Sequence, residues 1–137
     1  MAFAPIIIHA GDRESNADRE IIARTEPRSL RTYTPTQAVI AQSAGIYHWT
    51  PEGRKLYDFT SGVLVANLGH NPVGWMNRFC RYMNWPEHWS ARRPDAPSGY
   101  FDALPMTAYN AITPAEADAS RRLVEFAGRR PGGKRLE

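Results

Sequence analysis

Proline and glycine interrupt this chain so often that its regular elements must be short. Eleven Pro and ten Gly fall within 137 residues. Proline fixes φ and removes a backbone donor, while glycine weakens helix and strand interiors and favours turns. The length fits one ordinary domain. A composition of 42% hydrophobic and 23% charged residues fits a globular chain able to bury a core. The expected fold class is α+β, with short antiparallel strands plus helices.

The formal net charge is +3, and arginine carries it, because Lys55 and Lys134 are the only lysines. A basic balance raises the question of nucleic acid, yet a mildly basic surface explains so small an excess. Cys80 is the only cysteine, so no intrachain disulfide can form and nothing points to an oxidising compartment. The apolar run Ile6–Ile8 has no basic flank and is too short for a signal or a membrane span. A cytoplasmic location is the expectation.

Residues 1–35 read as an irregular arm and a short helix. Ser15 and Asp18 resemble a capping box ahead of Ile21 and Ile22, which predicts a helix over about 15–24, stopped at Glu26-Pro27. From Ala38 to Ser61 the pattern is strand-like. Val39-Ile40, Ile46–Trp49 and Leu56–Phe59 form three apolar runs, the last two joined by turn residues at 51–54. Asn71-Pro72 then reads as an N-cap with proline at the first helical position. Behind it Val73, Met76, Cys80 and Met83 share a face, so Cys80 is expected as a buried small hydrophobe. Residues 84–112 are rich in aromatics and proline without a clear period. They predict an extended surface segment that needs a partner surface to bury its rings. Thr113-Pro114-Ala115-Glu116 is the strongest local signal, a capping box with proline at the first helical position. It predicts a helix with Ala119, Leu123, Phe126 and Ala127 on its apolar stripe, Arg121 and Arg122 pointing away, and a stop at Gly128 and Pro131.

Several motifs carry less chemistry than they suggest. Gly128–Lys134 fits G-x-x-x-x-G-K, but a helix precedes it and Arg135 stands where a phosphate loop needs Ser or Thr. His9, His48, His70 and His88 lack the spacing of a metal site, and none is expected. Asp58, Ser61 and His70 contain the residue types of a triad without a nucleophile elbow around Ser61. Asp58 reads more simply as a strand-end polar group, and Ser61-Gly62 as a turn. The Trp-rich region 85–101, with Arg92 and Arg93, could stack on single-stranded nucleic acid but matches no recognised module. Between Gly62 and Gly69, Val63-Leu64-Val65-Ala66 is either a buried strand or linker, or a loop lining an apolar pocket.

One stretch goes further. Leu56–Pro72 reads LYDFTSGVLVANLGHNP, preceded by Gly53 and followed downstream by Asn110–Glu116 and Pro131-Gly132-Gly133. In order and spacing it resembles the amino-terminal segment of class III aminotransferases, enzymes of fold type I. The resemblance covers about residues 36–137. It implies an incomplete small domain over 36–137, leading toward a large cofactor-binding domain that the chain lacks. It implies transfer of an amino group between an amine or amino acid and a keto acid or aldehyde. It also implies pyridoxal phosphate held as a Schiff base to lysine, and a homodimer. By the same match Ser61, Gly62, Val63, Leu64, Val65 and Asn67 would bind or border the substrate, with Val63–Val65 favouring apolar groups. Neither lysine matches the family's Schiff-base position, so the chain alone is expected to be inactive and not to hold the cofactor covalently. The rival expectation is a non-catalytic interaction module docking through 84–112. No partnership with nucleic acid or membrane is expected.

Overall fold

A computed structural model describes residues 6–26, 37–87, 89, 93–108 and 111–128. The element order is α1 (Arg13–Thr25), β1 (Gln42–Ala44), β2 (Tyr47–Trp49), β3 (Lys55–Tyr57), a one-turn segment α2 (Ser61–Leu64), α3 (Val73–Met83) and α4 (Pro114–Gly128). This is the α+β class that the sequence implies. The chain divides into two compact units, one comprising Met1–Val39 with Asn110–Glu137, the other Ile40–Tyr109.

In the first unit α1 packs on α4. Ile22, Val39, Ile112 and Ala117 form its core, with Ile21 against them. Burying Ile22 alone is worth about 1.5–3 kcal/mol. Val39 and Ile112 pair as a parallel bridge, so the predicted strand at Val39-Ile40 is reduced to one bridging residue. Arg19 is also buried. Its Nε donates to the Gln37 carbonyl at 2.8 Å and its guanidinium to Asn16 Oδ1 at 2.6 Å, which satisfies a charge that burial would otherwise penalise.

Helix ends test the capping signals. At α4 the box forms in both directions. The Glu116 N–H donates to Thr113 Oγ1 at 3.1 Å and the Thr113 N–H to Glu116 Oε2 at 3.3 Å. At α1 it does not. The helix starts earlier, with Asp12 at the N-cap, and Ser15 lies buried inside the first turns. The α4 stripe is corrected too. Leu123 and Phe126 are exposed, and the buried residue is Ala117. Ala117 lies nine residues, about two and a half turns, from Phe126, hence on the opposite side. A side chain that small lets the helix backbone approach its neighbour, and this outweighs the larger stripe. Arg121 and Arg122 pair with acidic residues of their own helix, Arg121 with Asp118 and Glu125 and Arg122 with Asp118. The glycine-rich Gly128–Lys134 motif lies largely outside the described residues, as do Pro27 and Pro131.

In the second unit β1, β2 and β3 make an antiparallel sheet with β2 in the centre. Ser43 faces His48 and His48 faces Leu56 across the ladders. The turn at 51–54 forms as expected, closed by the Gly53 N–H on the Thr50 carbonyl at 2.9 Å. The first strand is Gln42–Ala44, a register set by the two-residue turn at Gly45-Ile46. On one face Trp49 is fully buried. Its Nε1–H donates to Asp95 Oδ2 at 3.1 Å and the Arg93 guanidinium stacks 4.8 Å from its ring. Arg93 also bonds to Gln42 and Asp95, so this candidate nucleic-acid cation is committed internally.

Asn71 does not cap α3. Pro72 takes the N-cap, Asn71 sits at φ 56°, and its amide donates to the carbonyls of Ser43 and Leu104 at 2.8 and 3.0 Å. A buried amide that bridges two chain segments satisfies more polar groups than a cap would. Cys80 is buried as expected and accepts from Trp89 Nε1 at 3.2 Å, whereas Met83 on the same predicted face is exposed. Part of the aromatic segment buries itself. Trp89 packs on buried Phe101 at 4.8 Å, while Trp85 stays exposed. Among the described residues no helix is long and apolar enough to cross a membrane.

The Thr113–Glu116 box yields a stability expectation. Thr113→Ala should cost about 1 kcal/mol, the usual worth of such a cap, read as a lower midpoint in chemical denaturation. An unchanged midpoint would show that Pro114 and the helix dipole suffice to start α4.

Candidate functional site

The six residues singled out by the resemblance lie on one loop, and that loop has an unusual backbone. Ser61, Gly62, Val63 and Leu64 have φ of 49°, 56°, 60° and 66°. Gly62 and Val63, with ψ of 45° and 55°, are left-handed. The turn is closed by Leu64 N–H on the Thr60 carbonyl and Val65 N–H on the Ser61 carbonyl, both at 3.0 Å. Left-handed backbone costs roughly 1–2 kcal/mol for each L-residue with a side chain. For a β-branched residue such as Val63 it is an outlier. Only Gly62 adopts it freely, and Gly62 is needed for a second reason. A Cβ there would fall inside the Thr107 side chain. At Gly69 (φ 78°) a Cβ would meet Tyr100 at 2.8 Å and the Gly45 backbone at 3.1 Å.

The strained turn rules out a buried strand at Val63–Val65, while Ala66 is buried. Val63, Leu64 and Val65 are 49%, 84% and 69% exposed. Asn67 is exposed, Ser61 is half-buried and Gly62 is buried against Thr107. Tyr57, Phe59 and Leu68 extend the exposed apolar surface around them.

What holds the loop is Asp58. Its Oδ1 accepts from Thr60 N–H at 2.8 Å, Thr60 Oγ1 at 3.0 Å and Ser61 N–H at 2.8 Å. Its Oδ2 accepts from His70 Nε2 at 2.9 Å. One carboxylate therefore fastens both ends of the loop. His48, on central strand β2, adds its Nε2 at 3.5 Å from the same Oδ2, and its Nδ1 lies 2.6 Å from Ser43 Oγ. The other end is pinned by backbone. Gly45 and His70 exchange N–H···O bonds at 2.9 and 2.8 Å.

These groups set each other's charge. Burial alone would push Asp58 up, but hydrogen bonds from His70 and Thr60 and the nearby His48 outweigh it and hold the carboxyl at about 2. His48 is lowered, first by burial and then by repulsion from His70, against the pull of Asp58. Asp58 is thus a carboxylate and can only accept, so His70 donates through Nε2. His70 is fully buried, and its Nδ1 has no hydrogen-bond partner among the described residues.

Sequence spacing missed this cluster. His48, Asp58 and His70 offer ligand atoms within 4.8 Å of one another; Asp58 stands diagonally across the β2–β3 hairpin from His48, two residues beyond its partner Leu56, and His70 joins them from the far end of the loop. Asp58 is more than a strand-end polar group. The triad that Asp58, Ser61 and His70 could suggest is not assembled. Ser61 meets Asp58 through its backbone N–H, and His70 bridges to no serine. Lys55 lies on β3 with its Nζ 3.9 Å from the Tyr47 ring centre and 3.7 Å from Asp95 Oδ2.

The depressed Asp58 pKa carries a pH consequence. A carboxyl lowered from 3.8 to about 2 stabilises the fold fully above its ordinary pKa. That contribution is lost as pH falls through about 2. Asp58→Asn should cost on the order of 1–3 kcal/mol at neutral pH, since it removes the charge from several hydrogen bonds. It should also flatten the loss of stability between about pH 4 and pH 2 in acid titrations followed by circular dichroism. A variant with the wild-type acid profile would show that Asp58 does not carry it.

No protein-family model matches the chain, and no solved structure does. Three curated proteins show partial similarity. The mitochondrial acetylornithine aminotransferase of Neurospora crassa is 33% identical over 69 residues, 50% of this chain and 15% of that protein. A probable mitochondrial acetylornithine aminotransferase of Schizosaccharomyces pombe is 34% identical over 64 residues, 47% of this chain and 14% of that protein. The acetylornithine aminotransferase of Xanthomonas campestris pv. campestris is 40% identical over 42 residues, 31% of this chain and 10% of that protein. The chain is thus similar, over half its length or less, to a small part of aminotransferases.

Proposed function

We propose that this chain is part of a class III pyridoxal-phosphate-dependent aminotransferase and contributes a wall of its substrate pocket. The enzyme would move an amino group between an amine or amino acid and a keto acid or aldehyde, as a cytoplasmic homodimer. The observation that carries this reading is the loop itself. A left-handed turn with Val63 and Leu64 in unfavourable backbone is clamped by Asp58 and presents Val63, Leu64 and Val65 outward. Strain kept in place by surrounding bonds is found at binding sites more often than elsewhere. The partial similarity to acetylornithine aminotransferases supports the same reading. In it, Ser61, Gly62 and Asn67 border the pocket, and the three aliphatic side chains contact an apolar part of the substrate. Residues 36–137 would be an incomplete small domain.

The described residues do not fit the cofactor. Pyridoxal phosphate needs a positioned amine. Lys55 is engaged with Tyr47 and Asp95 on the sheet face, and Lys134 lies outside the described residues. No step of the reaction is therefore assigned to this chain beyond shaping and drying the pocket. In the rival reading, a module docking through 84–112, exposed Trp85, Leu104 and Met106 would meet the partner, while Trp89 and Phe101 pack on each other.

Two measurements test the proposal. In a chimera, this chain's residues replace the aligned stretch of the Neurospora crassa relative. It should load cofactor and keep transaminase turnover, and Leu64→Asp in it should raise KM by about tenfold or more while changing kcat less. A soluble, cofactor-loaded chimera without turnover would sink the pocket-wall reading. Separately, the 137-residue chain treated with pyridoxal phosphate and borohydride should show no stoichiometric label on one lysine by mass spectrometry. A single fully labelled lysine would reverse the conclusion about the cofactor.

A further inference from the structure

The buried cluster His48–Asp58–His70 has features that clamping a loop does not require. A clamp needs Asp58 and His70. It does not need a second imidazole aimed at the same oxygen. His48 Nε2 and His70 Nε2 lie 3.5 and 2.9 Å from Asp58 Oδ2, and the two rings are 4.7 Å apart between centres. The side chains of His48, His70 and Asp58 are 10%, 1% and 5% exposed.

We infer that His48, Asp58 and His70 form a binding site for a divalent first-row transition metal of the zinc class, with Nε2, Oδ2 and Nε2 as ligands. Imidazole and carboxylate are donors that zinc accepts, and bonds of about 2.0–2.1 Å in a tetrahedron put ligand atoms roughly 3.3 Å apart. The two separations from Oδ2 bracket that spacing, and the three ligand atoms lie within 4.8 Å of one another, so the two imidazole nitrogens close on each other by up to about 1.5 Å to bind one ion beside Oδ2.

The surroundings match what such a site requires of its supports. Ligating carboxylates are themselves hydrogen-bonded, and ligating histidines donate their other N–H. Asp58 divides its work in that way. Oδ1 takes the three donors from Thr60 and Ser61, which leaves Oδ2 to the imidazoles. Ser43 Oγ, 2.6 Å from His48 Nδ1, can accept its N–H and so direct the Nε2 lone pair at the site. Binding requires His70 to give up the Nε2 proton that it now donates to Asp58, so that its other nitrogen, Nδ1, carries the ring N–H. Nδ1 finds no acceptor among the described residues. A missing support of this kind weakens affinity by about tenfold to a hundredfold, which makes the site exchangeable. Three protein ligands leave a fourth position for water. None of this depends on the aminotransferase reading.

Calorimetric titration of the 137-residue chain with zinc chloride alone tests it. Saturable one-site binding, a raised Tm with zinc present, and the visible bands of tetrahedral cobalt on substitution are expected. His48→Gln should weaken binding at least tenfold. Ser43→Ala, which keeps all three ligands and makes a small change in a buried position, should weaken it by about tenfold to a hundredfold. His9→Gln, which removes none of the three ligands, should leave it unchanged. If His48→Gln does not fold, Ser43→Ala decides. No binding by the wild-type chain, or unchanged affinity in the folded variants, overturns the site.

Discussion

The two oxygens of the Asp58 carboxylate hold opposite ends of the loop that follows β3, and the shape of that loop depends on them. Oδ1 fastens Thr60 and Ser61, where the chain turns into left-handed backbone, and Oδ2 fastens His70, where it leaves. Without these bonds the left-handed turn at Val63 and Leu64 would keep only its own backbone bonds and the Gly62–Thr107 contact, and both residues would gain by relaxing. The bonds are strong for a stated reason: the acceptor is charged and shielded from water, and bonds to charged groups are worth about 1.5–3 kcal/mol. The sheet supplies the rest. β2 places His48 beneath the carboxylate, and the Gly45–His70 backbone pair fixes where the loop ends.

Local signals were legible where one interaction decided the outcome. The Thr113–Glu116 box and the 51–54 turn could be read because their partners lie within four residues. Signals failed where distant segments competed for the same group. Asn71 is a fitting cap residue, but the carbonyls of Ser43 and Leu104 claim its amide. Leu123 and Phe126 form a fitting apolar stripe, but close approach through Ala117 sets the rotation of α4.

The site divides in the same way. The motif from Leu56 to Pro72 located the loop in the sequence and singled out the residues it presents. It said nothing of the left-handed turn, which no propensity for Ser-Gly-Val-Leu suggests, nor of Asp58 as the clamp. The approach of His48 to His70 was hidden further still, since it follows from strand register and from the return of the chain to Gly45. A sign was present in one respect: Asp58, Gly69 and His70 stand at the two ends of an apolar tetrapeptide that has no face of its own.

The contact between Gly62 and Thr107 links two parts of the chain that are far apart in sequence. The space above Gly62 is filled from outside the loop, so the loop does not carry its own mould. Moving residues 58–70 into another host would transfer the letters without the geometry unless a side chain of suitable size stood in the place of Thr107. Over evolutionary time, positions 62 and 107 should therefore change together or not at all, the one remaining glycine for as long as the other keeps its branch.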